Sequence, residues 1–269
     1  MDCLSSAQRS VLKKLREDTG HENLDIHPEI TVTAMDARYS KSSTRVAISA
    51  LRKLYPDSQF WIDLMQKRMP EYKKIDTSQE PTKKQIDAYI DWDDIIKFRD
   101  SDNKLNALDM LLIGLYTYIE PQRLDYTPMR IVNRKPRTPA DGTNYLIVNS
   151  TGSKFLFHAY KTAKSYGDRL VPVPPELHVL IIDYIHDRRS GFLFQDATTP
   201  WTATRLGQNV RRIFQKHFNK DFGVNNLRHS FITKINAGMP SLAHLSDTAS
   251  KMGHDIITHQ TYRHIALEP

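Results

Sequence analysis

Helical periodicity runs along most of this sequence and is interrupted once, by three short segments with the pattern of β-strands. The strand-like segments are YLIVNS (145–150), KFLFHAYK (154–161) and DRLVPVP (168–174), and turn residues separate them. Apolar residues at helical spacing precede them in DWDDIIKFRD and LNALDMLLIGLYTYI, and follow them in PELHVLIIDYIHDRR, TATRLGQNVRRIFQKHF and LRHSFITKINAG. The pattern predicts a mostly α fold with a small antiparallel sheet, which belongs to the α+β class.

The first 75 residues predict a separate helical domain. SAQRSVLKKLRED and SKSSTRVAISALRKLYP are amphipathic, and the second run begins with helix-capping serines and ends at Pro56. A shorter amphipathic run, FWIDLMQKRMP, follows. The next segment, KKIDTSQEPTKK, is polar, contains Pro81 and has no periodicity, as is typical of a linker. We therefore predict domains at residues 1–75 and 85–269, joined by a linker at 76–84.

The charge of the chain favours a polyanionic partner. The 269 residues carry a net charge of +7, which suits nucleic acid first and an anionic membrane surface second. A basic protein with solvated charges has the same composition, so charge alone does not decide. Lys41, Arg45, Arg52 and Lys53 lie on one predicted helix and are candidate DNA-binding residues, although each fits a solvated helix face as well.

Cysteine and histidine usage argues against disulfides and metal sites. Cys3 is the only cysteine, so no disulfide framework exists and an intracellular location is expected. The longest apolar runs are too short to span a bilayer, and the N-terminus lacks an apolar signal core. His254, His259 and His264 are spaced five residues apart, which does not match the i, i+4 ligands of zinc helices. We expect no metal, no cofactor and no membrane partner.

Five residues suit chemistry on a phosphodiester. Arginine binds the non-bridging phosphate oxygens through paired N–H groups and stays charged. A nucleophile must attack phosphorus, and the leaving 5′ oxygen must receive a proton. Without a metal, cations and hydrogen-bond donors have to stabilise the transition state. Groups with these properties occur in the order Arg123, Lys161, Arg228, His254 and Tyr262.

Four stretches that contain these residues resemble one known family. They are LLIGLYTYIEPQRLDYTPM, AYKTAKSYGDRLVPVP, NNLRHSF and MGHDIITHQTYRHI. Each stretch alone is weakly specific, and the signal lies in their order and separation. Residues 85–269 resemble the catalytic domain of tyrosine recombinases, the phage-integrase type of site-specific recombinase. The helical N-terminal segment is similar to the DNA-binding domain of that family in position only.

The resemblance implies a role for each residue. Tyr262 would attack a DNA phosphorus and form a 3′-phosphotyrosyl bond, while Arg123 and Arg228 would bind the non-bridging oxygens. Lys161 would protonate the leaving oxygen, and His254 would donate a hydrogen bond to the phosphate. Lys161 competes with Lys154 and Lys164 and is preferred because its K-T pair matches the family hairpin.

Three further positions have supporting roles or depart from the family pattern. Asp125 follows Arg123 closely and is expected to orient an arginine or a lysine rather than to act as an acid. Asn225 stands where the family usually has a histidine, and an amide cannot act as a base near neutral pH. His229 is a candidate replacement, although its neighbour Arg228 points elsewhere because adjacent helical side chains diverge by about 100°. His254 and Tyr262 are eight residues apart, one fewer than is commonest in the family.

The sequence therefore predicts a DNA recombinase or integrase of a virus, phage or other mobile element. Double-stranded DNA would be its partner, and the family implies a homo-oligomer, a tetramer of two dimers, on that DNA. Its location would be DNA-associated, in a bacterial cytoplasm or in a host cell or nucleus. Two alternatives stay open: a non-catalytic DNA-binding protein on the recombinase scaffold, and an enzyme similar to type IB topoisomerases.

Overall fold

Each of the three helical runs predicted in the N-terminal segment forms a helix, and the structure contains one further helix there that was not predicted. The computed structural model describes residues 4–77, 81–101, 105–149, 152–186, 188–238 and 241–263. The chain divides into two compact units, Met1–Ser78 and Gln79–Pro269. The helices of the first unit are α1 (Ser6–Thr19), α2 (Pro28–Arg38), α3 (Lys41–Leu54) and α4 (Gln59–Thr77).

Local signals in the sequence set the ends of α1 and α3. The Ser5 hydroxyl accepts a hydrogen bond from the Gln8 amide, and the Gln8 side chain accepts one from the Ser5 amide, which is a capping box. Gly20 ends α1 in the left-handed conformation, and Ser40 caps α3. The apolar faces meet in one core, whose fully buried members include Leu15, Leu24, Met35, Ile48, Leu51 and Trp61.

Helix α4 is longer than the sequence predicts. The amphipathic run was expected to stop at Pro70, but the helix continues through this proline to Thr77. Tyr72 lies beyond the proline and is buried in the core of the unit, so packing outweighs the hydrogen bond that proline removes. The linker predicted at 76–84 is thus helical at both ends, since α4 ends at Thr77 and the next helix begins at Lys83. Residues 78–80 lie outside the described residues.

The second unit is also mainly helical. Its helices are α5 (Lys83–Ala88), α6 (Trp92–Asp100), α7 (Ala107–Thr117), α8 (Ala163–Tyr166), α9 (Pro175–Ile185), α10 (Ala203–Phe218), α11 (Val224–Ala237), α12 (Leu242–Lys251) and α13 (Ile256–Gln260). Its strands are β1 (Met129–Val132), β2 (Asn144–Asn149), β3 (Gly152–Phe157), β4 (Arg169–Pro172), β5 (Gln195–Asp196) and β6 (Thr199–Pro200). No described helix is long and apolar enough to cross a bilayer.

The main sheet is mixed rather than antiparallel. Its order is β1-β2-β3-β4, with β1 parallel to β2 and the other two pairs antiparallel. The mostly α fold with a small sheet is confirmed, but strand β1 was not predicted from the sequence. Only two of the four residues of β1 are buried, so its apolar pattern is too short to stand out.

Strand β3 ends four residues earlier than the sequence predicts. The predicted strand reached Lys161, whereas the observed one stops at Phe157. The Oδ1 atom of Asn144 accepts hydrogen bonds from the amides of His158 (2.8 Å) and Ala159 (2.7 Å), which turns the chain away from the sheet. Lys161 therefore lies in a turn before α8.

One apolar core joins the helices and one face of the sheet. Helix α7 packs against α9 and α10, and α6 packs against α7 and α11. The core includes Leu111, Leu115, Tyr126, Phe155, Ile181, Phe214 and Leu227. Helix α11 thus has a fixed position, with Leu227 in the core and Arg228 next to it.

Candidate active site

Arg228 lies at the centre of a polar cluster inside the second unit. Its side chain is completely buried. One terminal nitrogen donates a hydrogen bond to the carbonyl of Pro121, and the other contacts Nδ1 of His254 at 3.0 Å. These two bonds leave three of the five guanidinium N–H groups for other acceptors. Arg228 therefore joins α11 to the segment after α7 and to the segment after α12, while it keeps donors for an anion.

Tyr262 packs directly on this guanidinium. It follows α13, and its amide donates to the carbonyl of His259 at 3.1 Å. The central carbon of the Arg228 guanidinium lies 4.9 Å from the centre of the Tyr262 ring. The ring also stacks on His254, with 5.6 Å between centroids and 20° between planes. The phenol is thus held among cationic and polar groups.

The electrostatics of the cluster favour the tyrosinate form of Tyr262. Burial by itself opposes ionisation of the phenol. The charges of Arg228 and Arg123, together with their polar contacts to the phenol oxygen, outweigh burial and lower the pKa of Tyr262 below its ordinary value. The cations that would bind a phosphate thus also ease the loss of the phenolic proton.

Arg123 and Asp125 reach the cluster from the segment between α7 and β1. The backbone carbonyl of Arg123 accepts a hydrogen bond from the Tyr116 hydroxyl at 3.0 Å, which fixes this segment against α7. Burial raises the pKa of Asp125, although the charges of Arg123, Arg228 and Arg169 oppose that shift. Among the ion pairs of the described residues, none joins Asp125 to an arginine. The backbone of Arg123 donates a hydrogen bond to the Asp125 carboxyl, so Asp125 contacts the main chain of this segment rather than an arginine side chain.

His254 forms a buried pair with a second histidine. Its Nε2 lies 3.2 Å from Nδ1 of His259, and both side chains are buried. Burial, the charge of Arg228 and the proximity of His259 lower the pKa of His254 to about 3. Burial and the charge of Arg228 lower the pKa of His259 to about 4. Both rings are neutral at physiological pH.

Lys161 is not in the cluster. It is exposed in the turn after β3, and no described hydrogen bond or ion pair links it to Arg123, Arg228 or Tyr262. The next residue, Thr162, donates a hydrogen bond to the carbonyl of Gly253, which directly precedes His254. The turn therefore contacts the segment that carries His254, while the ammonium group points to solvent.

Asn225 and His229 occupy different environments on α11. Asn225 is exposed in the first turn and shares no described hydrogen bond with Arg228, His254 or Tyr262. His229 lies beside Tyr262, with 4.9 Å between ring centroids. Its Nδ1 donates to the backbone carbonyl of Tyr262 at 2.7 Å, so it holds the main chain of the tyrosine.

Two residues to which the sequence assigned no role, Gln122 and Arg169, position the His254 segment. The side-chain amide of Gln122 donates a hydrogen bond to the backbone carbonyl of Lys251 at 3.1 Å, and the Arg169 guanidinium donates to the same carbonyl. Arg169 also contacts Gln122 at 3.2 Å. Gln122 and Arg169 lie within the stretches that resemble the family, whereas the sequence suggested His259 only as a candidate metal ligand.

The four basic candidates of the first unit are divided between two places. Lys41 forms an ion pair with Glu71, and the Arg45 guanidinium lies 5.6 Å from the centre of the Tyr72 ring. Arg52 and Lys53 instead line an open cavity of about 410 Å³ together with Ser49. They do not form one continuous basic face.

Two solved structures that this chain resembles are a site-specific recombinase and a transposon integrase. The XerH site-specific recombinase bound to its difH substrate, in a pre-cleavage complex, matches 90% of this chain and 67% of its own, with a TM-score of 0.52 and 17% identity. The chain has the tyrosine recombinase fold. The Tn1549 transposon integrase in complex with transposon right-end DNA also matches, over 95% of this chain and 87% of its own, with a TM-score of 0.50 and 14% identity.

Comparison of the sequence with known proteins identifies no relative. No model of a protein family matches the chain, and no curated protein matches it. At such low identity the structural similarity establishes the fold alone. The chemistry must be argued from the residues of the cluster.

Within the described residues, no group of three or more His, Cys, Asp or Glu side chains is arranged to hold a metal ion. His264, one of the three evenly spaced histidines, lies outside the described residues.

Proposed function

We propose that the protein is a site-specific DNA recombinase or integrase of a viral or other mobile element, which cleaves and rejoins strands through a 3′-phosphotyrosyl intermediate. The observation that carries this proposal is the convergence of Arg123, Arg228 and the Tyr262 phenol, which are far apart in the sequence. Two guanidinium groups beside one phenol suit a nucleophile that attacks a phosphate anion. The recombinase fold agrees with this reading.

The proposed reaction exchanges one phosphodiester for another. The Tyr262 oxygen forms a bond to phosphorus as its proton passes to water, and the bond from phosphorus to the 5′ oxygen breaks. Lys161, once the turn carrying it closes on the DNA, gives the 5′ oxygen a proton. Because a phosphotyrosyl bond replaces a phosphodiester bond, the step is close to balanced in energy, and the 5′ hydroxyl of another strand can reverse it.

The phosphate must compete with the phenol for the same guanidinium donors. In the structure these donors face Tyr262, and Arg228 is fully buried. A bound DNA phosphate would accept hydrogen bonds from the guanidinium groups of Arg228 and Arg123 that now contact the phenol. DNA binding is therefore coupled to a shift of the Tyr262 ring from its resting contact.

The decisive experiment uses a nicked duplex that carries the terminal sequences of the element, so that the cleaved strand cannot be religated. We expect a covalent protein–DNA band on a denaturing gel, and we expect Tyr262→Phe to abolish it. Phenylalanine keeps the ring that stacks on His254, so DNA binding should persist. If Tyr262→Phe still accumulates the adduct, another residue is the nucleophile and the proposal fails.

The structure also offers support for the non-catalytic alternative. Lys161 is outside the cluster, and Asn225 is exposed where a base would be useful. A non-catalytic protein would bind the same duplex with steep salt dependence and give no adduct with the wild-type chain. Relaxation of a supercoiled plasmid without preference for the element's sequences would instead favour the topoisomerase-like reading.

We further propose that double-stranded DNA is the partner of both units and that the protein acts as a homo-oligomer, a tetramer of two dimers. Sedimentation of the protein with and without its duplex tests the second part of this statement. The two solved neighbours named above are complexes, one with a difH substrate and one with transposon right-end DNA.

A further inference from the structure

His259 is a buried polar residue to which the proposed reaction assigns no role. It lies on α13, three residues before Tyr262, and its side chain is completely buried. Its Nδ1 faces Nε2 of His254 at 3.2 Å. Its own Nε2 has no hydrogen-bond partner among the described residues. Such a residue requires an explanation, because buried polar atoms in proteins are almost always hydrogen-bonded.

The donors and acceptors along this row of side chains can be assigned without ambiguity. An arginine side chain has only donors. The Arg228 nitrogen that contacts Nδ1 of His254 therefore donates, and Nδ1 of His254 must carry a lone pair. A neutral His254 then has its proton on Nε2, which donates to Nδ1 of His259. The proton of His259 must be on its Nε2.

The same reasoning excludes a protonated His254 in this arrangement. An imidazolium would direct an N–H toward the Arg228 guanidinium, so two donors with like charge would face each other. The charged groups that act on His254 are Arg228 and Arg123, with Asp255 opposing them. Those that act on His259 are Arg228 and, when protonated, His244. Burial and the charge of Arg228 keep the two rings neutral.

The contact with His259 fixes the orientation of the His254 ring as well as its tautomer. The His254 ring is held at Nδ1 by Arg228, at Nε2 by His259 and on one face by Tyr262. Loss of the acceptor at position 259 would leave the Nε2 proton of His254 buried and unpaired. The ring could then rotate by 180° about its Cβ–Cγ bond, which would turn a carbon toward Arg228 and remove the acceptor there.

We propose that His259 is a positioning residue for strand cleavage. It holds His254 as the Nε2–H tautomer, so that His254 orients Arg228 and supports the face of Tyr262. The claim that His259 affects strand cleavage rests on the proposed function. The claim that His259 sets the tautomer of His254 concerns the protein without DNA. His259 itself touches neither the phosphate nor the attacking oxygen in this account.

The test compares two substitutions of His259. His259→Leu fills a similar volume but has no acceptor. In His259→Asn the amide oxygen can take the place of Nδ1, so this variant can accept the proton of His254. We expect His259→Leu to slow formation of the phosphotyrosyl adduct by about 10- to 100-fold, as small misplacements of catalytic groups do, with unchanged DNA affinity. His259→Asn should recover most of the rate.

Nitrogen chemical shifts of the histidines in the free protein provide the second readout. They should report His254 as the neutral Nε2–H tautomer in the wild type and in His259→Asn, and a mixture of tautomers in His259→Leu. An Nδ1–H tautomer of His254 in the wild type overturns the proposal. So does a His259→Leu protein with wild-type rate and tautomer, or an Asn variant no better than Leu.

The two proposals fail in different ways. If the wild type forms no adduct on the nicked duplex, the proposed function is wrong, and the tautomer measurement still decides the role of His259. If the wild type forms the adduct and the variants do not differ, the function stands and the positioning role is wrong.

Discussion

At the scale of single residues, one buried guanidinium organises the candidate site. Arg228 binds the Pro121 carbonyl and His254 and contacts the Tyr262 ring, so it links three separate parts of the chain. Only the planar, five-donor guanidinium can make these contacts together. A lysine ammonium, a compact charge at the end of a flexible side chain, cannot make all these contacts.

Arg228→Lys should therefore damage both stability and chemistry. The ammonium cannot reach the Pro121 carbonyl and His254 at once, so at least one buried acceptor loses its partner. We expect the free energy of unfolding to fall by about 1–3 kcal/mol and adduct formation to slow by about 100-fold or more. Urea denaturation and the nicked-duplex assay measure the two effects. Arg205→Lys, whose pair with Asp196 is exposed, is the matched control and should change stability by less than about 0.5 kcal/mol.

The buried histidines predict a loss of stability in acid. Their folded pKa values of about 3 for His254 and about 4 for His259 lie below the unfolded value near 6.5. Between these values the unfolded chain binds more protons than the folded chain. The stabilisation is thus fully present above about pH 6.5 and is lost as the pH falls toward 4, at up to about 1.4 kcal/mol per pH unit for each histidine.

Urea denaturation at pH 7, 6 and 5 tests this. The wild type should lose more stability across the series than His259→Leu, which has one buried histidine fewer. Parallel losses in the two proteins would contradict the assignment of this pH dependence to the His254–His259 pair.

The sequence identified part of this cluster and missed the rest for a physical reason. The structure brings Arg123, Arg228, His254 and Tyr262 together, as expected from the resemblance. It leaves Lys161 in an exposed turn, because Asn144 ends strand β3 early. The sequence suggested His259 only as a candidate metal ligand, because its contact with Nε2 of His254 cannot be read from spacing along the chain.

At the scale of elements, the junction between α12 and α13 sets the position of both His254 and Tyr262. Gly253 lies there with a φ of 71°, in the left-handed region. A Cβ atom at this position would be 2.8 Å from Nη1 of Arg169 and 3.2 Å from the Tyr160 ring. Gln122, Arg169 and Thr162 bind the carbonyls on either side of Met252. The junction is therefore held by the sheet side of the unit.

Gly253→Ala should be destabilising and should also reduce cleavage. The methyl group forces an unfavourable φ and collides with Arg169, so we expect a loss of about 1–3 kcal/mol in the free energy of unfolding. Thermal denaturation measures the change. Adduct formation should fall as well, since His254 is the next residue.

Gly207→Ala provides a control for which the expected change in the free energy of unfolding has the opposite sign. Gly207 lies inside α10, and a Cβ atom there would meet only Leu124 at ordinary contact distances of 3.6 and 3.7 Å. We expect this change to stabilise the protein by about 0.5–1 kcal/mol, because alanine loses less backbone freedom in a helix. If both glycine variants were neutral, the strain assigned to Gly253 would be wrong.

Elements with strong local signals were predicted, and those that depend on packing were not. Helices α3 and α10 begin at capping Ser40 and Thr202 and have continuous apolar faces. Helix α2 has no side-chain cap, and burial of Thr31 and Met35 holds it in place. Strand β1 similarly exists because β2 pairs with it in parallel. Such tertiary contacts are absent from any local pattern.

At the scale of the whole molecule, the side chains behind the net charge of +7 are not equivalent. Some cations form ion pairs with carboxylates, and others are exposed to solvent. In the first unit, Lys41 is paired with Glu71, whereas Arg52 is exposed beside an open cavity. A phosphate that binds Lys41 must first displace a carboxylate, but one that binds Arg52 displaces only water and counterions. The predicted DNA-binding residues are therefore expected to contribute unequally.

The salt dependence of DNA binding tests this inequality. Each cation that neutralises a phosphate contributes about 0.9 to the slope of log affinity against log salt concentration. Arg52→Gln should reduce the slope by nearly that amount and weaken binding to all duplexes alike. Lys41→Gln should reduce it less, because Glu71 already neutralises the lysine. Lys13→Gln, which removes an exposed lysine that pairs with Glu17 on α1, is the control for the change in net charge and matches the paired Lys41. Equal slopes for Arg52→Gln and Lys13→Gln would mean that Arg52 does not contact phosphate, and the proposal that this part of the first unit binds DNA would fail.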